Sequence, residues 1–275
     1  MANELGIEVP IKSSWKTYLG AFTLFNLYSL FFVSAFQEST GYTLATKEVL
    51  ELGIDPREWG WGDHYVWRLI ASILVTALAG MLAGAFARSK GAMVGLISNI
   101  PSCLFHGFII YMLVAWPVEV VAQTAFVIVS IIMIPLTSLI AYWSGELGEN
   151  INIQIDHGRV LGIRGYHWFW LVIPLYWYAR CIIPPLFYYL VFELIYSNSL
   201  SIFTGIKGLI LLIPIVGYVY PLYMAYRILS SDVMGTSSTV VRALSVTGWL
   251  VGGLAIGGIL QYGCYKVLGW GGLVG

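Results

Sequence analysis

Seven long apolar runs separated by shorter polar stretches make up the pattern of this chain. They extend over about Thr17–Gln37, Val66–Ala87, Ala92–Trp116, Val120–Trp143, His167–Tyr196, Lys207–Leu229 and Ala243–Leu268. A helix needs about 20 mainly apolar residues to cross a bilayer, and every run is long enough. The pattern therefore predicts an all-α integral membrane protein. Its expected form is one polytopic domain over residues 1–275, a bundle of about seven transmembrane helices.

The polar stretches carry their own signals. Glu38–His64 is the longest of them outside the bilayer. Within it, Thr46–Leu52 reads as a short helix closed by Gly53, and Asp55-Pro56-Arg57-Glu58 as a second helix start that Gly60 and Gly62 cut short. Trp59, Trp61, Tyr65 and Trp67 crowd the boundary like an interfacial aromatic belt. In Ser144–Tyr166, Ile151-Asn152-Ile153-Gln154-Ile155-Asp156 alternates with the strand period. With His157-Gly158 and Arg159–Arg164 it predicts a small amphipathic β-hairpin on the membrane surface. Such a hairpin is marginal alone and must lean on the bilayer, the bundle or a partner.

The fifth run is the least ordinary. HWFWLVIPLYWYARCIIPPLFYYLVFELIY holds Pro174, Pro184 and Pro185, with Arg180 near its middle and Glu193 near its end. If Trp168–Tyr178 were an interfacial helix, only Ile182–Tyr196 would remain to span, which is short for a bilayer. One long, kinked span is the expectation.

Composition agrees with a bilayer as solvent. The chain is 59% hydrophobic and only 10% charged, against about 25% in soluble domains. Its mean hydropathy is +0.81. The net charge is zero, so no nucleic-acid footprint is expected. Cys103, Cys181 and Cys264 fall on different runs and read as packing residues. No metal-ligand spacing and no cofactor motif occurs, so neither is expected. The first run lacks a small-x-small cleavage site and reads as an uncleaved span. Lys and Arg set the orientation. Lys12, Lys16, Arg88, Lys90, Arg159, Arg164, Arg227 and Arg242 share one side if the N-terminus is inside, giving N-in and C-out. Short loops with this modest bias point to a bacterial inner membrane.

Glycines mark candidate packing faces. Gly80 and Gly84, then Gly91 and Gly95, are spaced G-x-x-x-G, so spans two and three are expected to form a close hairpin. Span seven holds Gly248, Gly252, Gly253, Gly257 and Gly258, a face fit for the bundle or for a second protein.

Candidate chemistry is sparse. Five Ile-Pro pairs break predicted spans, at Pro101, Pro135, Pro174, Pro184 and Pro214. Such breaks either bend helices for packing or line cavities. Arg180 lies about 20 Å into its span and needs a named partner. Trp177 offers a cation–π face, and Pro184 and Pro185 free the carbonyls of Arg180 and Cys181. Glu193 lies too far along one straight helix to pair with Arg180, and is expected at the depth of Arg68. Asn99 and His106 lie seven apart, on one helix face. Arg180 reads either as a hydrogen-bond hub or as an anion or headgroup site. No nucleophile elbow is present, and Gly145–Glu149 is not a phosphate loop. The expected function is a non-catalytic integral subunit of a larger membrane assembly, in contact with lipid and with other membrane proteins or itself. A small transporter or channel comes second, and a membrane enzyme acting on a lipid or lipid-linked substrate third.

Overall fold

A computed structural model of the chain describes residues 14–44, 61–115, 120–155, 159–160, 162–188, 202–230 and 239–268. They are almost entirely helical. In chain order the elements are α1 (Trp15–Leu44), α2 (Trp61–Ala87), α3 (Gly91–Ser98), α4 (Ile100–Ala115), α5 (Val120–Ile155), β1 (Arg159–Val160), β2 (Ile163–Arg164), α6 (His167–Tyr188), α7 (Ile202–Ser230) and α8 (Thr239–Leu268). Five stretches among the described residues are long and apolar enough to cross a membrane: Trp15–Ala35, Ile70–Ala87, Gly91–Met112, Val127–Ile151 and Val240–Leu268. These are the helices of an integral membrane protein. Large apolar side chains such as Leu104, Val114, Ile259 and Val267 stay exposed on them, as a lipid solvent permits and water does not.

Several boundaries differ from the sequence pattern. The helix α1 continues to Leu44, and α2 begins at Trp61, so both ends of the expected outer loop are helical and Gly62 breaks nothing. The short helices expected at Thr46–Leu52 and Asp55–Glu58 lie outside the described residues. The third run is two helices, because the chain turns at Asn99 between α3 and α4. Pro101 supplies the reason: it has no N–H to return to Ile97. The expected strand at Ile151–Asp156 is corrected, since α5 runs on through Ile155. Extending an existing helix by one turn costs less than starting a hairpin, and Ile151 and Ile155 still share a helix face. Only the two-residue strands β1 and β2 remain of the hairpin, on either side of Gly162 at φ 80°. The fifth run is one continuous helix from His167 through Tyr188, including Trp168–Tyr178.

The chain divides into two compact units. Unit 1 comprises Met1–Ser29 and Ser72–Leu161, and unit 2 comprises Leu30–Ala71 and Gly162–Gly275.

Unit 1 is built on backbone-to-backbone approach. A Cβ added at Gly84 or at Gly91 would run into the Gly145 carbonyl oxygen, and one at Gly95 into the Ala141 carbonyl. One at Gly80 would strike the Ser144 hydroxyl, and one at Gly148 the Met81 carbonyl. The two G-x-x-x-G pairs therefore both face α5 rather than making the close face with each other. The hydrogens that replace those Cβ atoms point at carbonyl oxygens, the geometry of Cα–H···O contacts at close helix crossings. Glu149 completes the corner: its carboxylate accepts the Gly91 N–H at 2.5 Å and so caps α3, whose preceding residue Lys90 sits at φ 57°.

Unit 2 is built on aromatic rings set against glycines. Ile163, Leu171, Tyr178, Tyr218, Ala225, Leu229, Val246 and Leu250 form its core. A Cβ at Gly253 would meet the Tyr178 hydroxyl and Pro221, and one at Gly257 the Tyr218 ring.

Gly145→Leu should therefore disrupt unit 1, at a cost of about 1–3 kcal/mol or more for overpacking a site with no room. Gly107→Ala, where a Cβ meets nothing within 4 Å, should leave stability unchanged or slightly raised. Thermal unfolding of both variants in one detergent checks the pair.

Candidate functional site

Two polar groupings lie at depth, one in each unit. In unit 1 the grouping sits where the junction of α3 and α4, followed by Pro101, meets α5 beside Pro135. Asn99 closes α3 and is fully buried. Its Nδ2 donates to Thr137 Oγ1 at 3.0 Å and lies 3.3 Å from Cys103 Sγ and 3.5 Å from Ser138 Oγ. The two hydroxyls have already committed their protons: Thr137 donates to the Met133 carbonyl at 2.8 Å and Ser138 to that of Ile134 at 2.7 Å. Asn99 must therefore be the donor in this cluster, which fixes the orientation of its amide. Its Oδ1 is buried and takes no protein donor among the described residues. The Thr137 and Ser138 bonds are both back-bonds to the carbonyl four residues earlier, made in the turn after Pro135, whose own missing N–H leaves the Ile131 carbonyl without its usual donor. Asn26 of α1 ties in beside it, donating to the Ser98 carbonyl at 3.2 Å.

In unit 2 the grouping surrounds Arg180. Its guanidinium carbon lies 5.3 Å from the Trp177 ring centroid and 5.8 Å from that of Tyr176. Both rings precede it on α6, so one helix turn brings the aromatic faces to the cation. Trp177 itself is half exposed. Next to this pair on α6, Tyr178 O–H donates to the Leu250 carbonyl at 2.8 Å, and its ring meets Tyr218 edge-on at 5.8 Å. Tyr218 O–H donates to Gln261 Oε1 at 2.6 Å, and Gln261 Nε2 to Tyr265 at 2.6 Å.

These bonds set the depth of Arg180. Tyr178 is eleven residues from the start of α6, Leu250 eleven from the start of α8, and Tyr218 twelve from the end of α7. At about 1.5 Å per residue, all three lie roughly 17 Å from one common end of the unit. Arg180, two residues beyond Tyr178, is near mid-depth of a 30-residue apolar helix, α8.

The remaining candidates are dispersed. His106 is half-buried on α4 with its ring 6.4 Å from that of Phe105, beyond the break at Asn99, so the two no longer lie on one uninterrupted helix. Arg68 belongs to α2, but its side chain and all of Glu193 lie outside the described residues, so their expected pairing does too. Gly80, Gly84, Gly91 and Gly95 all meet α5, and Gly253 and Gly257 meet α6 and α7. A Cβ at Gly248 or Gly252 would meet nothing within 4 Å among the described residues. Among the described residues no three His, Cys, Asp or Glu side chains gather as a metal site would require.

Sequence reading missed Thr137, Ser138, Tyr178, Tyr218 and Gln261, none of which stands out by charge. It also missed Gly145, Gly148 and Glu149. The signal was present, since Ala141 and Gly145 are small residues four apart. It is obscured because Ala141 falls in the apolar run Val120–Trp143 and Gly145 in the polar stretch Ser144–Tyr166 that follows. Comparison with protein-family models, with curated proteins and with solved structures finds no match to this chain.

Asn99→Leu should lower stability by about 1–2 kcal/mol, since interhelical hydrogen bonds in membranes contribute at that scale. Tyr178→Phe should cost about 1 kcal/mol through the lost bond to Leu250. Equal unfolding midpoints for wild type and both variants would remove these groupings from the account of the fold.

Proposed function

We propose that the chain is a non-catalytic integral membrane subunit of a larger assembly. In this reading it crosses the bilayer seven times, N-in and C-out, in a bacterial inner membrane. The helices α6 and α7 supply the two crossings beyond the five stretches named above. The strands β1 and β2 lie on the cytoplasmic side.

One observation carries the reading. Along α8, the space beside Gly253 and Gly257 is filled by Tyr178, Pro221 and Tyr218, whereas a Cβ at Gly248 or Gly252 would meet none of the described residues within 4 Å. A glycine inside a helix costs roughly 0.5–1 kcal/mol relative to alanine. The first pair is compensated by close packing within the chain. The second pair has no such compensation among the described residues, and a neighbouring helix would supply it. The sparse chemistry of the described residues fits a packing role.

A second reading is favoured by the break at Asn99. A discontinuous helix with a buried carboxamide, together with Arg180 at mid-depth, is the kind of element from which transport sites are built.

Gly248→Leu/Gly252→Leu should leave folding intact and reduce the mass of the native particle in mild detergent. Gly253→Leu should instead unfold unit 2. A wild-type particle of a single chain, unaltered by the double substitution, would sink the subunit reading. Uptake into vesicles that is lost in Arg180→Gln with its fold retained would then establish the second.

A further inference from the structure

The ends of three helices in unit 2 meet at one level, and the charged side chains described there are all arginines. Because Tyr178, Leu250 and Tyr218 lie at matching distances along α6, α8 and α7, the start of α6, the start of α8 and the end of α7 are level with one another. At this end stand His167, Arg242 and Arg227, with Arg164 on β2. Arg164 follows Ile163 and Arg242 stands one turn before Val246, and Ile163 and Val246 share one core, while His167 opens α6 three residues after Arg164. His167 Nδ1 accepts the Trp170 indole N–H at 3.0 Å, so its proton is on Nε2, the remaining donor. Arg227 lies 6.0 Å from the Tyr223 ring centroid. The strand β2 is held at this end by Ile163, buried in the core of the unit. The turn before it is held too, since a Cβ at Gly162 would stand 3.2 Å from the Tyr226 hydroxyl.

No carboxylate balances this cluster on the elements that carry it. As described, β2, α6, α7 and α8 contain no Asp or Glu at all. Arg242 also stands in the first turn of α8 and Arg164 just ahead of α6, where the helix dipole repels cations. Arg227 alone is on the favourable end of its helix. Two guanidinium groups and an imidazole are thus gathered against the local field, at the boundary where apolar helices end.

We infer that this end of unit 2 binds the phosphate of an anionic phospholipid headgroup, held by Arg164 and Arg242 with His167 beside them. A phosphodiester accepts from guanidinium N–H groups in pairs and from the imidazole Nε2–H, and it offsets the repulsion between the two guanidinium groups. Its acyl chains would lie along the exposed apolar faces of α6 and α8, where Ile173, Leu244 and Val251 face outward. Basic clusters between helix ends at a membrane surface recognise anionic lipid in this way. The inference holds for a subunit and for a transporter alike.

The test is thermal unfolding of the full chain in a neutral detergent, delipidated and then supplemented with phosphatidylglycerol, phosphatidylcholine or inorganic phosphate. Phosphatidylglycerol should raise the unfolding temperature by several degrees over the same amount of phosphatidylcholine. Arg164→Gln/Arg242→Gln should lose most of that rise, whereas Arg164→Lys/Arg242→Lys should keep much of it. Lys266→Gln, near the opposite end of α8, should keep it fully. The same rise with inorganic phosphate alone would retain the anion site and overturn lipid as its source. Equal rises with both lipids, or equal losses in the Lys266 and arginine variants, would overturn the site. Should the glutamine pair fail to fold, the lysine pair and Lys266→Gln decide by the same comparison.

Discussion

Unit 1 depends on the space around the Gly145 carbonyl. Two other helices come within backbone contact of it, α2 at Gly84 and α3 at Gly91, and neither could do so with a side chain. In water, burial of apolar surface would drive such helices together. In a bilayer that force is absent between helices, so association rests on close van der Waals packing and weak polar contacts between backbones. The run from Ala141 to Glu149 concentrates what is needed. Ala141 and Gly145 admit α3, Ser144 and Gly148 admit α2, and Glu149 caps the α3 N-terminus. The turn between α2 and α3 holds Arg88 and Lys90 in the left-handed region, a conformation that non-glycine residues adopt at some cost. Its geometry is imposed by two helices that must both reach the same carbonyl.

Unit 2 solves the same packing problem with the opposite choice of residues. There large rings, not bare backbones, fill the space, and glycines provide the receiving surface. Tyr178 and Tyr218 are fully buried, and each sends its hydroxyl to an acceptor on α8. A buried hydroxyl in hydrocarbon is costly without a partner, so these bonds select one register of α6 and α7 against α8. That register carries Arg180 to mid-depth. The cation is then met by Tyr176 and Trp177 from its own helix, which need no further ordering of the chain to reach it.

The membrane class was legible because it follows from run length and charge content, which are properties of the sequence alone. The proline breaks were legible as positions but not as consequences. Pro101 ends a helix at Asn99, while Pro135, Pro214 and Pro221 lie inside continuous ones. The difference is tertiary, since Asn99 is held by Thr137 on another helix. The glycine pairs were legible as contact residues but not as to partner, because G-x-x-x-G specifies approach and leaves the approaching helix open. Alternation at Ile151–Asp156 misled for a physical reason. A period of two over so few residues also places Ile151 and Ile155 on one helix face, and a preceding helix of this length settles the choice. Tyrosine hydroxyls carry no periodic signature, so the Tyr178–Leu250 bond could come only from the fold.

Charge placement is the last constraint that links the two units. Both keep most of their charged groups near where a helix begins or ends, the exceptions among the described side chains being Arg180 on α6 and Glu146 and Glu149 on α5. In unit 1 an acid, Glu149, meets a helix N-terminus and balances it within the chain. In unit 2 the corresponding helix starts carry cations, and the elements that hold them contain no acid. Self-contained packing would favour the first arrangement in both places. One helix start in unit 1 is thus capped by an acid of the chain itself, whereas the basic end of unit 2, in the inference drawn above, takes its anion from outside the helices that present it.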